Sequence, residues 1–319
     1  MAEAPDAQIQ GSPAAAILDA GRLGSRKPRS LWSDAARQFR KHKLAVAGVF
    51  VLIFLIVITL IGPVVWPQNM KTIDFSKATI GPSLAHPMGT DDLGRDLFAR
   101  VLWGGRISLA VGVTAMLVAI LFGTFIGAMS GFFGGFTDSA LMRFTDMFIS
   151  LPTLPLLLLA MYLFRDSLIH KFGQTLGPFL LLVFLIGITN WMPVARLVRA
   201  SFLSLKEKEF IEAAHCIGAN RSSIIFKHIL PNSMGPVIVA ATLAVGSAII
   251  SESTLSFLGL GFPPDVPTWG QLLNTSVNFM EIAPHMVIFP AMSIFLAVLS
   301  INYVGDGLRD ALDPRKTTG

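Results

Sequence analysis

Charge is scarce in this sequence. Asp, Glu, Lys and Arg together make up 14% of the 319 residues, against 53% apolar, where a soluble domain carries about a quarter. The shortage is uneven. Six stretches hold none of the four: 44–70, 107–137, 147–164, 172–195, 228–251 and 282–305. About 20 apolar residues cross the hydrocarbon core as a helix, and each stretch is 18 residues or longer. A soluble protein with a large core does not produce six such runs. Cysteine occurs once, at Cys216, which excludes an internal disulfide and most cysteine metal sites. The six histidines are scattered, with no pair at metal-ligand spacing. No Gly-x-x-x-x-Gly-Lys-Ser/Thr phosphate loop is present, so the chain does not cradle ATP itself. Clustered nucleophiles are missing too, which excludes a membrane enzyme. The first run is no cleavable signal core, because 43 residues precede it and it exceeds the 7–15 residues of such a core.

What charge there is has a direction. Eighteen of the 25 Lys and Arg residues fall before residue 44, at Arg143, between Arg196 and Lys227, or in the C-terminal tail. The other seven are Lys71, Lys77, Arg95, Arg100, Arg106, Arg165 and Lys171. Positive charge collects on the cytoplasmic side of membrane proteins. Both termini and the 200–231 loop are therefore expected in the cytoplasm, and the 67–105 and 259–284 loops outside. The basic surplus is topological and implies no nucleic-acid partner. Helices satisfy their own backbone in lipid, so the expected fold is an all-α membrane protein with six spanning helices. These are placed at 44–66, 107–131, 140–163, 176–196, 234–258 and 285–305. Residues 1–30 read as disordered, residues 31–43 as an amphipathic helix at the interface, where Leu31, Trp32, Ala35 and Phe39 recur at helical spacing, and 306–319 as a tail.

Local signals refine this. Asp92, Arg95 and Asp96 in the outer loop suit local ion pairs. Pro152 and Pro155 are expected to kink the third span, Pro178 opens the fourth, and Arg196 and Arg199 suit snorkelling anchors where that span meets the cytoplasm. Between Arg196 and Pro231 the pattern predicts two short helices, 205–217 and 223–229, around a glycine elbow. Gly218 suits the left-handed position that closes a helix, and Asn220 or Ser222 suits the cap of the next. Cys216 reads as a small packing residue. In the fifth span Glu252, with Ser247 and Ser251 nearby, is an ionisable group at membrane depth. Two readings stay open for it: the translocation path or its outer gate, and a structural hydrogen bond to a neighbouring span.

The loop's spacing carries a resemblance. Glu212-Ala213-Ala214, three residues, Gly218, nine residues and His228-Ile229-Leu230-Pro231 resemble the EAA loop of ATP-binding-cassette (ABC) importer permeases, with His228 where isoleucine is usual. Gly89-Thr90-Asp91-x-x-Gly94-Arg95-Asp96, Gly105-Arg106-x-Ser108-Leu109, Leu255 to Gly261 and Trp269-Gly270 are similar to the C-type subunit of the dipeptide, oligopeptide and nickel branch. Asp138, Arg143, Asp146 and Pro152 match that branch as well. The resemblance implies a type I importer permease fold of the bacterial inner membrane. Residues Glu212, Ala213, Ala214, Gly218, His228, Leu230 and Pro231 would then couple to ATPase subunits. It further implies a second homologous permease, two ATPase subunits that hold the ATP and Mg, and a periplasmic binding protein that selects substrate. Peptide is the expected cargo, with nickel chelates, glutathione and antimicrobial peptides as alternatives. A secondary transporter driven by an ion gradient would show paired broken helices and carboxylates in two matching halves. No internal repeat is visible, and only Glu252 fits that pattern.

Overall fold

The computed structural model describes residues 31–312, with side chains from residue 35. The expectations for residues 1–30 and for the end of the tail lie outside the described residues. Helix α1 (Leu31–Lys41) turns at His42 into α2 (Lys43–Val65). The His42 side chain caps the new helix, its Nδ1 accepting from the Ala45 amide at 3.1 Å. Helix α2 is apolar all round. Phe50, Phe54, Ile61 and Val64 are exposed from it, as lipid-facing side chains must be in a helix that meets protein on one side. A 3₁₀ turn (Phe75–Lys77) follows in the first of the two loops expected outside, the outer loops, and then the 37-residue α3 (Leu97–Phe133) and the shorter α4 (Gly135–Ile149).

The third span differs from expectation. Residues 140–163 do not form one helix, because α4 ends at Ile149 and α5 starts at Thr153. Pro152 sits at the N-cap of α5 and Pro155 in its first turn. Their missing N–H groups fall where a helix has no internal acceptor to offer, so they begin the helix instead of kinking it. Helix α5 (Thr153–Lys206) has 54 residues, about 80 Å at 1.5 Å per residue, more than twice a bilayer core. It is broken at Gly173, whose φ of 86° and ψ of 169° lie outside the helical region. A side chain on Gly177 would meet the Leu168 carbonyl at 2.5 Å, so the limbs 153–172 and 174–206 pack closely beside the break. Among the described residues, five helices are long and apolar enough to cross a membrane, α5 among them.

Beyond α5 come α6 (Glu209–Cys216), α7 (Arg221–Ser223), a π-wound turn (Ile224–Ile229) and α8 (Leu230–Phe257). The expected separate helix at 223–229 is continuous with the fifth span. Helix α9 (Trp269–Ser276) and a 3₁₀ turn (Val277–Phe279) lie in the second outer loop. Helix α10 (His285–Leu312) runs past residue 305, carrying Asp306, Arg309 and Asp310 in helix where a tail was expected.

The tightest packing joins α3 to the second limb of α5. Gly123, Gly127 and Gly131 form one flat stripe at four-residue spacing. A Cβ on each would strike the Trp191 carbonyl at 2.6 Å, the Ala195 carbonyl at 2.4 Å and the Phe202 Cβ at 2.6 Å. Helix α4 closes over this pair by stacking Phe144 and Phe148 around the buried Trp191. Elsewhere α1 and α2 lie on α10: Phe39 and Ala45 abut Gly307, and Gly48 abuts Ser300 and Tyr303.

The outer loops are bound by buried charge. Arg95 pairs with Asp91 at 2.7 Å, while Asp92 stands 4.0 Å from it and Asp96 pairs with His86 at 2.7 Å. Asp92, Arg95 and Asp96 thus all take part in local ion pairs, as expected, and Asp91 and His86 are the partners that the expectation did not name. Asp96 also caps α3 by accepting from the Ala99 amide at 2.7 Å, and takes the Trp66 indole N–H at 3.2 Å. Arg100, 1% exposed, reaches Asp91 at 3.5 Å and the Pro264 carbonyl at 3.3 Å, tying the first outer loop to the second. Arg106 addresses a defect in α2. Pro63 has no N–H for the Thr59 carbonyl four residues back, and Arg106 donates to that carbonyl at 2.7 Å and to the Leu60 carbonyl beside it.

Candidate functional site

The loop between α5 and α8 folds into a small knob at the end of α5. Helix α5 stops at Lys206, and α6 opens at Glu209 with Glu209 and Glu212 in its first turn, where carboxylates favour the helix dipole. Helix α6 closes on Gly218, which takes φ +82°. The Gly218 amide donates to the His215 carbonyl at 3.0 Å and the Ala219 amide to the Ala214 carbonyl at 3.0 Å. Those two bonds make a Schellman motif, with glycine where a Cβ would be strained. Asn220 then caps α7, accepting from the Ser223 amide at 2.7 Å.

Two faces of the knob divide the work. Ile211 and Ala214 are buried, and Ile211 joins a cluster with Phe202, Ile224, Ile229 and Val237 that fixes the knob to α5 and α8. Glu212 and Ala213 point outward, as do Phe210, Cys216, Ile217 at 85% exposure and Phe226 at 64%. The structure thus splits the Glu-Ala-Ala triplet, Ala214 inward and its two neighbours outward. Cys216 is exposed and not packed. His228 and Leu230 are half-buried and Pro231 is exposed at the base of α8. Nothing in the sequence marked Phe210, Ile217 and Phe226 as a surface, although apolar residues recurring in a basic loop were the available signal.

Arg196 and Arg199 are ion-paired. Arg199 donates to both oxygens of Asp138, at 2.5 and 2.6 Å, and the Ser130 hydroxyl donates to the same carboxyl. The guanidinium, with Ser130, holds the Asp138 carboxyl below the ordinary carboxylate range. Arg196 pairs with Asp146 at 2.5 Å. Lys206 donates to the Phe132 carbonyl at 2.9 Å.

Glu252 lies inside the protein, 0% exposed. Ser108 of α3 donates to its Oε2 at 2.9 Å and Ser256 to its Oε1 at 2.8 Å, with Ser253 at 3.5 Å. Ser108 also accepts the Trp269 amide at 3.3 Å, and the Trp269 indole N–H donates to the Val101 carbonyl at 3.0 Å. One carboxyl therefore joins α3, α8 and the outer helix α9. Ser247 and Ser251 lie on another face of α8, bonded to each other through the Ser247 carbonyl at 3.0 Å; Ser247 is exposed and Ser251 half-buried. The trio grouped by sequence is two separate features.

Comparison with known proteins agrees with this architecture. Residues 119–318 match the family model described as binding-protein-dependent transport system inner membrane component, and residues 30–87 match the N-terminal TM domain of oligopeptide transport permease C. The chain is 42% identical to the oligopeptide transport system permease protein of Haemophilus influenzae, over 90% of this chain and 89% of that one. It is 41% identical to the dipeptide transport system permease protein of Alkalihalophilus pseudofirmus, over 90% of each. A glutathione transport system permease protein of Pectobacterium atrosepticum is 40% identical over 90% and 92% of the two chains. Among solved structures, a chain of the MetNI methionine ABC transporter in an inward-facing conformation shares the fold, with a TM-score of 0.52 at 17% identity, over 68% of this chain and 96% of that one. Matched over most of its length by a family model and by relatives at this identity, the chain belongs to the binding-protein-dependent transport system inner membrane components, the multi-pass permease subunits of ABC importers.

Proposed function

We propose that this permease works as one of a pair of homologous membrane subunits in a bacterial inner-membrane importer of di- and oligopeptides. Two ATPase subunits, holding the ATP and Mg, dock on its cytoplasmic knob, and a periplasmic protein delivers the cargo. The observation that carries the reading is the knob itself. Its eight-residue helix is closed by a glycine cap, and Phe210 and Ala213 on the helix, Ile217 at its end and Phe226 on the π-wound turn are apolar and exposed beside Glu212 among the described residues. Aromatic and aliphatic anchors of this kind fill a pocket on a partner. The charge asymmetry of the sequence supports cytoplasmic termini and six crossings, with the two limbs of α5 supplying the third and fourth. Ser247 and Ser251, on an outward face of α8 at membrane depth, are the better candidates for the path. Glu252 suits a structural tie.

The experiment is purification of the intact complex in detergent, reconstitution with its binding protein, and uptake of labelled di-, tri- and pentapeptides. Expected are co-purifying ATPase subunits and uptake that requires ATP and is competed by unlabelled peptide. Uptake competed by glutathione but not by peptides overturns the cargo assignment. Uptake without ATP hydrolysis overturns the coupling role of the knob.

A further inference from the structure

The knob is joined to the membrane helices by two connections of different construction. On the α5 side everything is locked. The glycine stripe of α3 lies directly on Trp191, Ala195 and Phe202. Arg199 grips Asp138 with two hydrogen bonds while Ser130 holds the same carboxyl, and paired, charge-assisted bonds fix geometry as well as energy. Lys206, the last residue of α5, is held by the Phe132 carbonyl at 2.9 Å and lies over the Phe132 ring at 5.9 Å. Only Glu207 and Lys208 separate this clamp from α6.

The α8 side is packed through Ile224 and Ile229, but its backbone ladder is irregular. Residues Ile224–Ile229 are π-wound, and the Leu230 amide reaches back five residues to Ile225. Pro231 and Pro236 then remove two donors from the helical ladder. Side chains also bond to the backbone in this stretch: Asn232 donates to the His228 carbonyl at 2.6 Å and Ser233 to the Leu230 carbonyl at 2.8 Å. Such π-wound turns recur at functional sites, and helices bend where the regular ladder is interrupted.

Resting on the importer reading above, we propose that Asp138 is a positioning residue for the power stroke. Through Arg199 it makes α3, α4 and the lower limb of α5 one rigid arm. The stroke received by α6 is then expressed as bending at residues 224–236, which redirects α8.

Distances between paired spin labels in the assembled transporter test this directly. In a Cys216→Ser background, labels at Ala140→Cys and Ser204→Cys report the clamp, and labels at Ser204→Cys and Ser247→Cys report the turn. On trapping the ATP-bound state the first distance stays constant within about 2 Å, the scale of ordinary helix shifts, while the second moves beyond it. A first distance that moves as much as the second overturns the proposal. A second test uses Asp138→Asn, with Asp138→Arg/Arg199→Asp as the restoring pair. Asp138→Asn retains the ATPase subunits and hydrolyses ATP, but uptake per ATP falls about tenfold, equivalent to about 1.4 kcal/mol of coupling, and the reversed pair restores it. Wild-type uptake per ATP in Asp138→Asn refutes the role and leaves the importer reading intact. ATP-independent uptake by the wild-type complex removes both.

Discussion

Replacing Glu252 by glutamine and by leucine separates a carboxyl that binds helices together from one that serves transport. Leucine removes every acceptor from the Ser108 and Ser256 hydroxyls, both fully buried. A buried polar group without a partner costs about 1–3 kcal/mol. Two such groups amount to roughly 2–6 kcal/mol, toward the lower end because Ser256 can turn to a carbonyl of its own helix. Glutamine keeps the shape and one acceptor. Its amide donors face hydroxyls that rotate to accept, so the loss is about 1 kcal/mol or less. At about 2–4 °C per kcal/mol for a chain of 150–250 residues, glutamine lowers the melting point by a few degrees at most and leucine by several degrees more. The assay is the fraction of complex surviving heating in detergent, measured by gel filtration, alongside uptake normalised to the folded complex. The expected result is that Glu252→Gln transports at the wild-type rate per folded complex, and that Glu252→Leu loses stability first. A Glu252→Gln protein that melts like the wild type but transports several-fold more slowly refutes the reasoning, since only a charge acting on cargo or gate gives that pattern.

Two further outcomes follow from local geometry. At the outer end of α2, Arg106→Met destabilises a protein that has Pro63 by about 1.5–3 kcal/mol, the range for a charged hydrogen bond. It costs less in Pro63→Ala, where the restored N–H serves the Thr59 carbonyl; a double-mutant cycle in detergent unfolding should find at least about 1 kcal/mol of coupling, and additivity within about 0.5 kcal/mol argues against the link. At the knob, a side chain on Gly218 would meet nothing within 4 Å, so only its positive φ opposes substitution. Gly218→Asn, which tolerates that conformation, should retain uptake and the ATPases best, Gly218→Ala less at about 1–2 kcal/mol, and Gly218→Val least; equal loss in all three points to contact rather than backbone strain.

The sequence displayed the apolar runs and the charge bias because bilayer thickness and the cytoplasmic surface act on composition directly. The elbow at Gly218 was readable for a related reason, since one local spacing encodes one local backbone shape. What stayed hidden depended on partners far along the chain. Prolines 152 and 155 mark a kink or a start equally well, and only the end of α4 at Ile149 decides between them. Asp92 and Asp91 are indistinguishable neighbours until the loop sets Arg95 2.7 Å from Asp91 and 4.0 Å from Asp92, and adds Arg100 at Asp91. The two bases on α5 meet the two acids on α4 across 50 and 61 residues, beyond what spacing can show. Glu252 and Ser251 are adjacent in sequence, yet one full step around a helix separates the interior from the outer face.

The packing of α1 and α2 on α10 bears on how the molecule is made. The first membrane helix emerges from the ribosome long before its counterpart, and Gly48 offers a flat surface that nothing covers until Ser300 and Tyr303 arrive. Phe39 likewise finds Gly307 only once α10 has been made. Helix α2 can meet α3 as soon as Arg106 follows it, but its other side waits in the lipid until α10 is inserted. A chain halted before α10 would keep its knob but leave its oldest helices without their seat, an unclosed surface of the kind that quality-control proteases and chaperones act on.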